Sequence, residues 1–359
     1  VINSESIIRS MSDEIEHRGP DSYGYFADTS SGIFLGFRRL SIIDLSDNGS
    51  QPISSFNKRF IMVFNGEIYN FKYLKKIINQ KSNDLIKYKS HSDSEVLVNS
   101  FAVLGISETL KNINGQFAIC LWDKKLKKFY LIRDRFGEKP LYYGFIDNTF
   151  VFASELKAMN KFPNFKKKIS KRALNSYLKY LNVPGKFSIY EDIYKLLPSE
   201  VMELNVSNQN KKFLSENIKH YKYWDLVKES NEVSNQKIIK KSDYLYLTEN
   251  ILRKSILEQS YADVPIGSFL SGGIDSTLIT ALYQTQSSKK INTFTVGFEN
   301  QNFDESIYAG KIANKLDTNH TKILLKESDA INLIEKLPEI YCEPFADSSQ
   351  IPTFLLCRE

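Results

Sequence analysis

The chain has 359 residues, 42% of them hydrophobic and 25% charged, which is typical of globular proteins and exceeds the size of one ordinary hydrophobic core. No apolar run approaches the ~20 residues of a membrane span, and the chain does not begin with the basic and then apolar pattern of a signal peptide. Its formal net charge is +6, but acidic residues interrupt the lysines, so there is no single basic stripe. We therefore expect a cytoplasmic protein of two domains that binds neither nucleic acid nor membrane.

The first half of the chain shows short strands and tight turns. Turn residues at 123–124 and 147–148 are expected to join neighbouring strands as hairpins, and a capping box at 92–95 is expected to open a helix. The predicted strands are 60–64, 117–122, 129–133, 141–145 and 150–153, and the predicted helices are 71–79 and 96–104. This pattern indicates a layered α+β domain with mostly antiparallel sheets.

The second half changes to an alternation of helices and strands. The predicted elements are, in order, helix 244–258, strand 264–270, helix 277–284, strand 291–298, helix 306–316 and strand 321–325. Such alternation is typical of a parallel sheet in an α/β domain. Residues 208–241 are rich in polar side chains and have few apolar anchors, so we interpret them as a linker that separates domains 1–207 and 242–359.

A Ser-Gly-Gly-Ile-Asp-Ser loop follows the predicted strand at 264–270 and precedes a predicted helix. A glycine-rich turn at a helix start exposes backbone N–H groups and the positive end of the helix dipole, which together bind phosphate. Gly272 and Gly273 let the backbone approach an anion, Ser271 and Ser276 add hydroxyl donors, and Asp275 is placed to hold a divalent cation. The alternative is a plain strand-to-helix turn with a serine cap.

A second candidate site lies at Asn65, Gly66 and Glu67, which follow an apolar strand. Asn-Gly after a strand is usually a hairpin turn, but a helix follows here instead of a returning strand. An asparagine side-chain N–H beside a glycine N–H can donate twice to one oxygen, as an oxyanion hole requires.

Charged residues near this turn add candidate ligand contacts. Arg18 and Arg39 carry guanidinium groups suited to a carboxylate, with a structural ion pair as the alternative. Asp93, at a predicted helix start, is either a helix N-cap or the acceptor of a ligand's ammonium group. Cys120 lies in an apolar strand and is expected in the core. Cys120, Cys342, Cys357 and the four histidines lack metal-ligand spacing, so neither a disulfide framework nor a structural metal is expected.

Together these segments resemble the glutamine-dependent asparagine synthetase family. The resemblance covers nearly the whole chain, and the order and spacing of its motifs carry it. The motifs are His-Arg-Gly-Pro-Asp at 17–21, Arg-Leu-Ser-Ile-Ile-Asp-Leu at 39–45, Phe-Asn-Gly-Glu-Ile-Tyr-Asn at 64–70, Arg-Asp-Arg-Phe-Gly at 133–137 with Lys-Pro-Leu-Tyr-Tyr at 139–143, Ala-Ser-Glu-Leu-Lys-Ala at 153–158, and the loop at 271–276.

The resemblance implies two folds and two linked reactions. The first domain is expected to be a class II glutamine amidotransferase with the layered αββα fold of N-terminal-nucleophile hydrolases. The second is expected to be an ATPase of the pyrophosphate-loop type, C-terminally incomplete, with a parallel sheet. Glutamine hydrolysis would release ammonia, which would react with ATP-activated β-aspartyl-AMP to give asparagine, AMP and pyrophosphate. The resemblance also suggests a homodimer.

Matching positions supply the expected site residues. Arg39 would hold the glutamine carboxylate and Asp93 its ammonium group, while Asn65 and Gly66 would form the oxyanion hole. Further glutamine contacts are expected from Leu40, Ser41, Ile42, Ile43 and Glu67. Leu270 and Val296 would line the adenosine pocket, and Asp275 would hold Mg²⁺. The pyrophosphate of ATP is expected to bind Ser271, Gly272, Gly273 and Ser276.

The sequence departs from the family at both ends. The family begins Met-Cys-Gly-Ile and uses that cysteine as its nucleophile, whereas this chain begins at Val1. It stops at Glu359, before the family's Ser-Gly-(Asp/Glu)-Gly-x-Asp-Glu loop. We therefore expect a fragment truncated at both ends, and residues 1–359 alone are expected to lack glutaminase activity. Cys342 stands where the family usually has aspartate, so either a specificity difference or a packing role is open.

Three alternatives remain. A family relative could amidate another carboxylate, such as a sugar acid, a peptide or a β-lactam precursor. The chain could also be a nucleotide-binding module without catalysis. A tRNA-modifying enzyme could share the phosphate loop, but that reading leaves the first half unexplained.

Overall fold

The structure, a computed structural model, describes residues 4–206, 218–234, 240–299 and 304–358. The chain forms two compact units. Unit 1 contains residues Val1–Val233 with Cys342–Pro344, and unit 2 contains residues Ser234–Tyr341 with Phe345–Glu359.

Unit 1 is built from antiparallel strands and seven helices in the described residues. The strands are β1 (Ser22–Asp28), β2 (Ile33–Arg39), β3 (Ile53–Ser54), β4 (Phe60–Ile68), β5 (Gly115–Asp123), β6 (Lys128–Arg133), β7 (Tyr142–Ile146), β8 (Thr149–Ala153), β9 (Ile193–Lys195), β10 (Glu200–Asn205) and β11 (Ile218–Lys222). The helices are α1 (Ser4–Asp13), α2 (Phe71–Lys81), α3 (Asp93–Leu104), α4 (Ile106–Asn112), α5 (Leu156–Met159), α6 (Lys171–Tyr180) and α7 (Leu226–Ser234).

Unit 1 is layered. Six strands form one sheet in the order β11-β10-β6-β5-β4-β3, and β8-β7-β9 and the hairpin β1-β2 form smaller sheets. Ile61 and Val63 of β4 share one apolar cluster with Leu35 of β2 and with Phe150 and Phe152 of β8, so the large sheet faces the smaller ones. The alternate β4 residues face the opposite side, where α3 packs, which explains why the whole run 60–64 is buried.

The second helical layer of unit 1 covers the smaller sheets. Met11 of α1, Met159 of α5 and Ala173 of α6 are buried in one cluster with Val151 and Ala153 of β8. Helix, sheet, sheet and helix therefore follow one another. The predicted αββα arrangement and the hairpins at 123–124 and 147–148 are confirmed.

The stretch 208–241 differs in part from the predicted linker. Strand β11 lies inside it and pairs with β10 over five residues, because even polar residues such as Lys219 can extend a sheet edge through their backbone. Its aromatic neighbours are anchored as well, since Tyr223 donates from its hydroxyl to the Arg133 carbonyl at 3.1 Å and Trp224 contacts the ring of Phe136. Residues 207–217 and 235–239 of this stretch lie outside the described residues. The domain limits 1–207 and 242–359 stay predictions.

Unit 2 is an α/β unit with a parallel sheet, as predicted. Its three strands pair in the order β12-β13-β14, and both pairs are parallel. The elements are α8 (Lys241–Gln259), β12 (Gly267–Phe269), α9 (Ile274–Gln286), β13 (Asn292–Phe298), α10 (Ser306–Leu316), β14 (Asn319–Leu325), α11 (Glu327–Ile334), α12 (Leu337–Ile340) and α13 (Gln350–Arg358). Strand β12 is shorter than the predicted 264–270. Over the described residues of both units, the helices are too short or too polar to cross a membrane.

Candidate active sites

Unit 1 contains a cavity of about 300 Å³ that gathers most of the predicted glutamine contacts. Among the residues that line it are Arg39, Leu40, Ile42, Ile43, Asn65, Gly66, Glu67 and Asp93. Ser41 does not line the cavity. Its backbone N–H donates to Asp21 Oδ2 at 2.7 Å, which holds Ser41 near the start of β1. The cavity therefore brings together predicted contacts, such as Arg39 and Asp93, that lie more than 50 positions apart in the chain.

Arg39 ends β2 with its guanidinium held by the following loop. Its Nη1 donates to the Ser46 carbonyl at 2.7 Å, and its Nη2 donates to the carbonyls of Ile43 and Asp44. A Cβ on Gly49 would come within 2.2 Å of Nη2, so only glycine leaves room for this guanidinium. Three of the five N–H groups are used, which leaves no more than two for a ligand carboxylate.

Asp44, which the sequence analysis did not select as a site residue, organises this loop. Its carboxylate accepts from the Ser46 N–H at 3.0 Å and from the His91 N–H at 3.0 Å. Burial raises the pKa of Asp44, but these hydrogen bonds outweigh it and hold the pKa below its usual value. The Arg39 loop is thereby tied to the segment that leads into α3.

Asn65 and Gly66 lie within β4 and do not form a turn after it. The strand runs on to Ile68, and Asn65 pairs with Ala118 and Gly66 with Phe117 of β5. Gly66 has φ +147°, and a Cβ there would stand 2.0 Å from the Gln116 carbonyl oxygen. The prediction that the strand ends before Asn65 is therefore wrong, and the position of Gly66 in the strand leaves no room for a Cβ.

The Asn65 side chain carries the strongest sign of a ligand. Its Nδ2 is buried and has no hydrogen-bond partner among the described residues. A buried amide left without a partner costs about 1–3 kcal/mol, so such donors are rare unless a ligand accepts from them. Asn65 and Gly66 both line the cavity, and an oxyanion hole needs two such neighbouring donors.

Asp93 is the first residue of α3, and Ser92 is the N-cap, with its Oγ accepting from the Glu95 N–H at 3.3 Å. The N-cap alternative for Asp93 is thus wrong. Its Oδ2 accepts from the Ile68 N–H at 2.9 Å, which ties α3 to the end of β4. Burial, together with a smaller effect of the nearby Glu67, raises the pKa of Asp93 to about 6. A buried carboxylate of this kind gains from an ammonium partner.

Unit 2 presents the predicted phosphate loop between β12 and α9. Gly273 is the N-cap of α9, and Gly272 has φ +85° with Tyr308 and the Ala309 N–H close to where a Cβ would be. The hydroxyls of Ser271 and Ser276 are 2.9 Å apart. Since the first N–H groups of a helix have no partner within it, the loop offers several donors to one anion.

The other predicted nucleotide residues of unit 2 differ in exposure. Asp275 is exposed in the first turn of α9, and its carboxylate is the hard oxygen donor that Mg²⁺ prefers. Leu270 is 1% exposed and packs with Ala309, while Val296 packs against the cluster of Leu325. Their part in adenosine binding stays a prediction. Among the described residues there is no group of three or more acidic, histidine or cysteine side chains suited to a metal.

Comparison with known proteins gives a family match for each half of the chain. The family described as "Glutamine amidotransferase domain" matches residues 2–224, and the one described as "Asparagine synthase" matches residues 247–359. A putative glutamine-hydrolysing asparagine synthetase 2 from Methanocaldococcus jannaschii is 34% identical over 367 residues, which cover 97% of this chain and 67% of that protein. The chain belongs to the glutamine-hydrolysing asparagine synthetase family.

Two further members of the family come from Bacillus subtilis. Asparagine synthetase 1 is 33% identical and asparagine synthetase 2 is 31% identical, over 99% and 98% of this chain. The chain spans about half the length of these relatives, 53% and 46%. A solved glutamine phosphoribosylpyrophosphate amidotransferase from B. subtilis aligns over 88% of this chain and 62% of its own, with 16% identity and a TM-score of 0.44, a likeness too distant to add to the family assignment.

Two family motifs meet at the rim of the cavity. Arg18 Nη1 donates to Glu155 Oε1 at 2.9 Å, and His17 lies 3.3 Å from the same oxygen. The ion-pair alternative is thus correct for Arg18, although its partner is a glutamate 137 residues away. Arg18 also lines the cavity. Sequence spacing alone gave no signal for this pairing.

The cysteines that the structure describes in unit 1 have packing roles. Cys120 is 2% exposed in β5, and burial holds its pKa well above its usual value, so it stays an unreactive thiol. Cys342 packs against the cluster of α1 and β8, with its Sγ 3.7 Å from Glu155 Oε2. The packing reading of both residues is therefore the one that the structure favours.

Lys139 is a cavity residue that the sequence analysis quoted only as part of a motif. It lines the cavity together with Glu67. Burial raises the pKa of Glu67, and the Lys139 ammonium acts against that rise. The sequence feature that could have predicted this role of Lys139 is its position two residues after the Arg-Asp-Arg-Phe-Gly motif.

Proposed function

We propose that the full-length protein is a glutamine-hydrolysing asparagine synthetase. One observation carries the proposal most directly, namely the unpaired, buried Asn65 amide in a cavity that also holds Arg39 and Asp93. The cavity offers a cation for a carboxylate, a carboxylate for an ammonium group and an oxyanion donor, which are the three features that free glutamine requires. The phosphate loop of unit 2 and the family membership support the second half-reaction, in which ATP is used.

In the first half-reaction, glutamine and water give glutamate and ammonia. Arg39 binds the α-carboxylate of glutamine with its remaining N–H groups, and Asp93 accepts from the α-ammonium group. The thiol of the family's amino-terminal cysteine attacks the side-chain amide. Asn65 Nδ2 and the Gly66 N–H then donate to the oxygen that becomes negative, which stabilises the tetrahedral intermediate in a site shielded from water.

In the second half-reaction, the aspartate side-chain carboxylate attacks the α-phosphate of ATP and releases pyrophosphate. The backbone N–H groups at Gly272 and Gly273 and the hydroxyls of Ser271 and Ser276 hold the departing phosphates. Asp275 would hold Mg²⁺, which when bound would neutralise the charge that develops on the leaving group. Ammonia displaces AMP from β-aspartyl-AMP and gives asparagine.

The wider setting is also part of the proposal. The three cysteines, which are free thiols in the structure, support a reducing, cytoplasmic location. The family resemblance supports a homodimer, with glutamine, aspartate and ATP as the small-molecule substrates.

The test uses the intact protein with aspartate, Mg-ATP and either amide-¹⁵N glutamine or ammonia. We expect ¹⁵N asparagine, AMP and pyrophosphate in equal amounts. Asn65→Ala should lose glutamine-dependent synthesis by about 10²–10³-fold, because an oxyanion donor is removed, while synthesis from ammonia continues. Formation of ADP and phosphate, or turnover that needs another carboxylate in place of aspartate, would contradict the proposal.

A further inference from the structure

The motif Arg133–Lys139 forms a turn after β6 whose purpose the two half-reactions leave open. The Arg133 guanidinium closes the turn from one side. Its Nε donates to the Lys139 carbonyl at 2.8 Å, its Nη2 to the Gly137 carbonyl at 2.7 Å and its Nη1 to the Leu196 carbonyl at 2.6 Å. All three bonds go to backbone, so this arginine has a structural task.

Asp134 closes the same turn from the other side. It is 1% exposed, and its carboxylate accepts from the N–H groups of Phe136 at 3.0 Å, Glu138 at 2.9 Å and Lys139 at 3.0 Å. A fourth N–H, that of Phe117, donates to Asp134 Oδ2 at 3.2 Å. The backbone of Lys139 is therefore fixed at both its N–H and its carbonyl.

The turn is thereby attached to the strand that carries the oxyanion donors. Phe117 of β5 pairs with Gly66 of β4, and Asp134 holds Phe117. The Lys139 side chain leaves this fixed backbone and lines the same cavity as Asn65 and Glu67. Seven hydrogen bonds from two side chains thus position one lysine at the glutamine site.

The charges of the cavity show what Lys139 faces. Burial lowers the pKa of Lys139, and the Glu67 carboxylate has the largest opposing effect on that pKa. Burial raises the pKa of Glu67, and Lys139 is the cation that opposes that rise. Glu67 and Lys139 therefore act on each other across the cavity that both side chains line.

Other ionisable groups surround the pair. Glu67 also acts on Asp93 and on Tyr69, and raises the pKa of both. Around Lys139, Arg18 lowers its pKa, whereas Glu138 and Asp134 raise it. Without Lys139, the half-buried Glu67 and the buried Asp93 would be two carboxylates in one cavity, a situation in which one of them takes up a proton.

We propose that the Arg133–Lys139 turn serves to hold the Lys139 ammonium in the cavity as the counter-charge that keeps Glu67 ionised. Lys139 is then a positioning residue, since it acts through Glu67. The charges of the lining support this role: Arg18 pairs with Glu155, and Arg38 pairs with Asp13 and Glu16. Lys139 then acts on Glu67, and Arg39 and Asp93 are left for the two ends of a zwitterion. This last step rests on the proposed function, whereas the counter-charge itself does not.

The first experiment therefore needs no substrate. The side-chain carboxyl of Glu67 is followed by ¹³C NMR as pH is varied, in the intact protein and in Lys139→Met and Lys139→Arg, with Glu67→Gln to assign the resonance. We expect the resonance to titrate at higher pH in Lys139→Met and to return towards the wild-type curve in Lys139→Arg. Lys111→Met is the control, because Lys111 lies on the exposed side of α4, where its ammonium group pairs with Glu108.

An unchanged Glu67 titration in Lys139→Met would overturn the proposal, and so would an upward shift that Lys139→Arg fails to reverse. If Lys139→Met does not fold, Lys139→Gln keeps a polar tip and removes the charge in its place. Fluorescence of the two tryptophans, both in unit 1, checks folding.

The second experiment measures glutamine binding across pH. Lys139→Met should bind glutamine like the wild type at pH 8 and roughly tenfold more weakly at pH 5.5, because a hydrogen bond to an ionised Glu67 is lost. A weakening of equal size at both pH values would contradict the counter-charge role. A wild-type protein that binds no glutamine at all would instead refute the proposed function and leave the NMR result standing.

Discussion

Gly66→Ala tests whether the oxyanion strand tolerates anything larger than hydrogen at this position. The new Cβ would lie 2.0 Å from the Gln116 carbonyl oxygen and 2.8 Å from the Phe117 Cα. Both are backbone atoms of the paired strand β5, so no side-chain rotation can relieve the contact. The φ of +147° adds a backbone conformation that alanine rarely adopts.

The expected magnitude follows from two contributions. Overpacking costs about 1–3 kcal/mol, and placing an L-residue at a positive φ costs about 1–2 kcal/mol. The unfolding free energy of unit 1 should therefore fall by about 2–5 kcal/mol, a large part of the 5–15 kcal/mol typical of a domain.

Gly32→Ala is the matched control. Gly32 also has a positive φ, +69°, but nothing lies within 4 Å of the position of its Cβ. This variant adds the cost of a left-handed backbone without any contact, so it should lose only about 1–2 kcal/mol.

Tryptophan fluorescence during urea unfolding measures the difference. Both tryptophans, Trp122 and Trp224, lie in unit 1, and Trp122 is fully buried in β5, the strand that the new Cβ would push. The midpoint should fall further for Gly66→Ala than for Gly32→Ala. Equal losses would refute the reasoning, since they would show that the backbone of β5 moves aside freely.

Three further variants test other parts of the two sites. Gly49→Ala should lower the stability of unit 1 and also, by calorimetry, the glutamine affinity, because its Cβ would stand 2.2 Å from Arg39 Nη2 and displace a guanidinium that three backbone carbonyls hold. Burial raises the pKa of Asp93 from its usual 3.8 to about 6, so the stability that its protonated form contributes is lost as pH rises from about 4 to 6. Above pH 6, Asp93→Asn should therefore be more stable than the wild type, by up to about 3 kcal/mol in urea unfolding. The same variant should lose glutamine binding. Asp275→Asn should unfold like the wild type, because Asp275 is exposed. It should lose the Mg²⁺ dependence of ATP binding, measured with a fluorescent nucleotide. Retention of that dependence would show that another residue holds the metal.

The sequence predicted those elements whose signal is local. Continuous apolar runs gave β4, β5 and β6, and the alternation after residue 240 gave the parallel sheet of unit 2. Helix α10 begins and ends at the predicted residues. The phosphate loop was found because a short turn and a helix start suffice to make it.

Other features depend on contacts that no local pattern records. Strand β11 is polar, so only its pairing with β10 makes it a strand. In the sequence, Asp44 is only one residue of a motif, and its role depends on its hydrogen bonds to the Arg39 loop and to His91. Lys139 enters the cavity because Asp134 also holds Phe117, which belongs to another strand. Each of these needs the tertiary fold.

The residues that break ordinary local rules gather at one place in unit 1. A strand glycine with positive φ, a buried amide without a partner and a buried carboxylate with a pKa of about 6 all line the same cavity. The amide, which has no partner among the described residues, and the buried carboxylate are unfavourable on their own. The zwitterionic amide of the proposed function would supply the missing acceptor and the missing cation. The arrangement is therefore maintained by its surroundings, namely the paired strand β5, the Arg39 loop and the Arg133–Lys139 turn. Variants of these supporting residues should therefore lower stability together with glutamine affinity, as Gly66→Ala should.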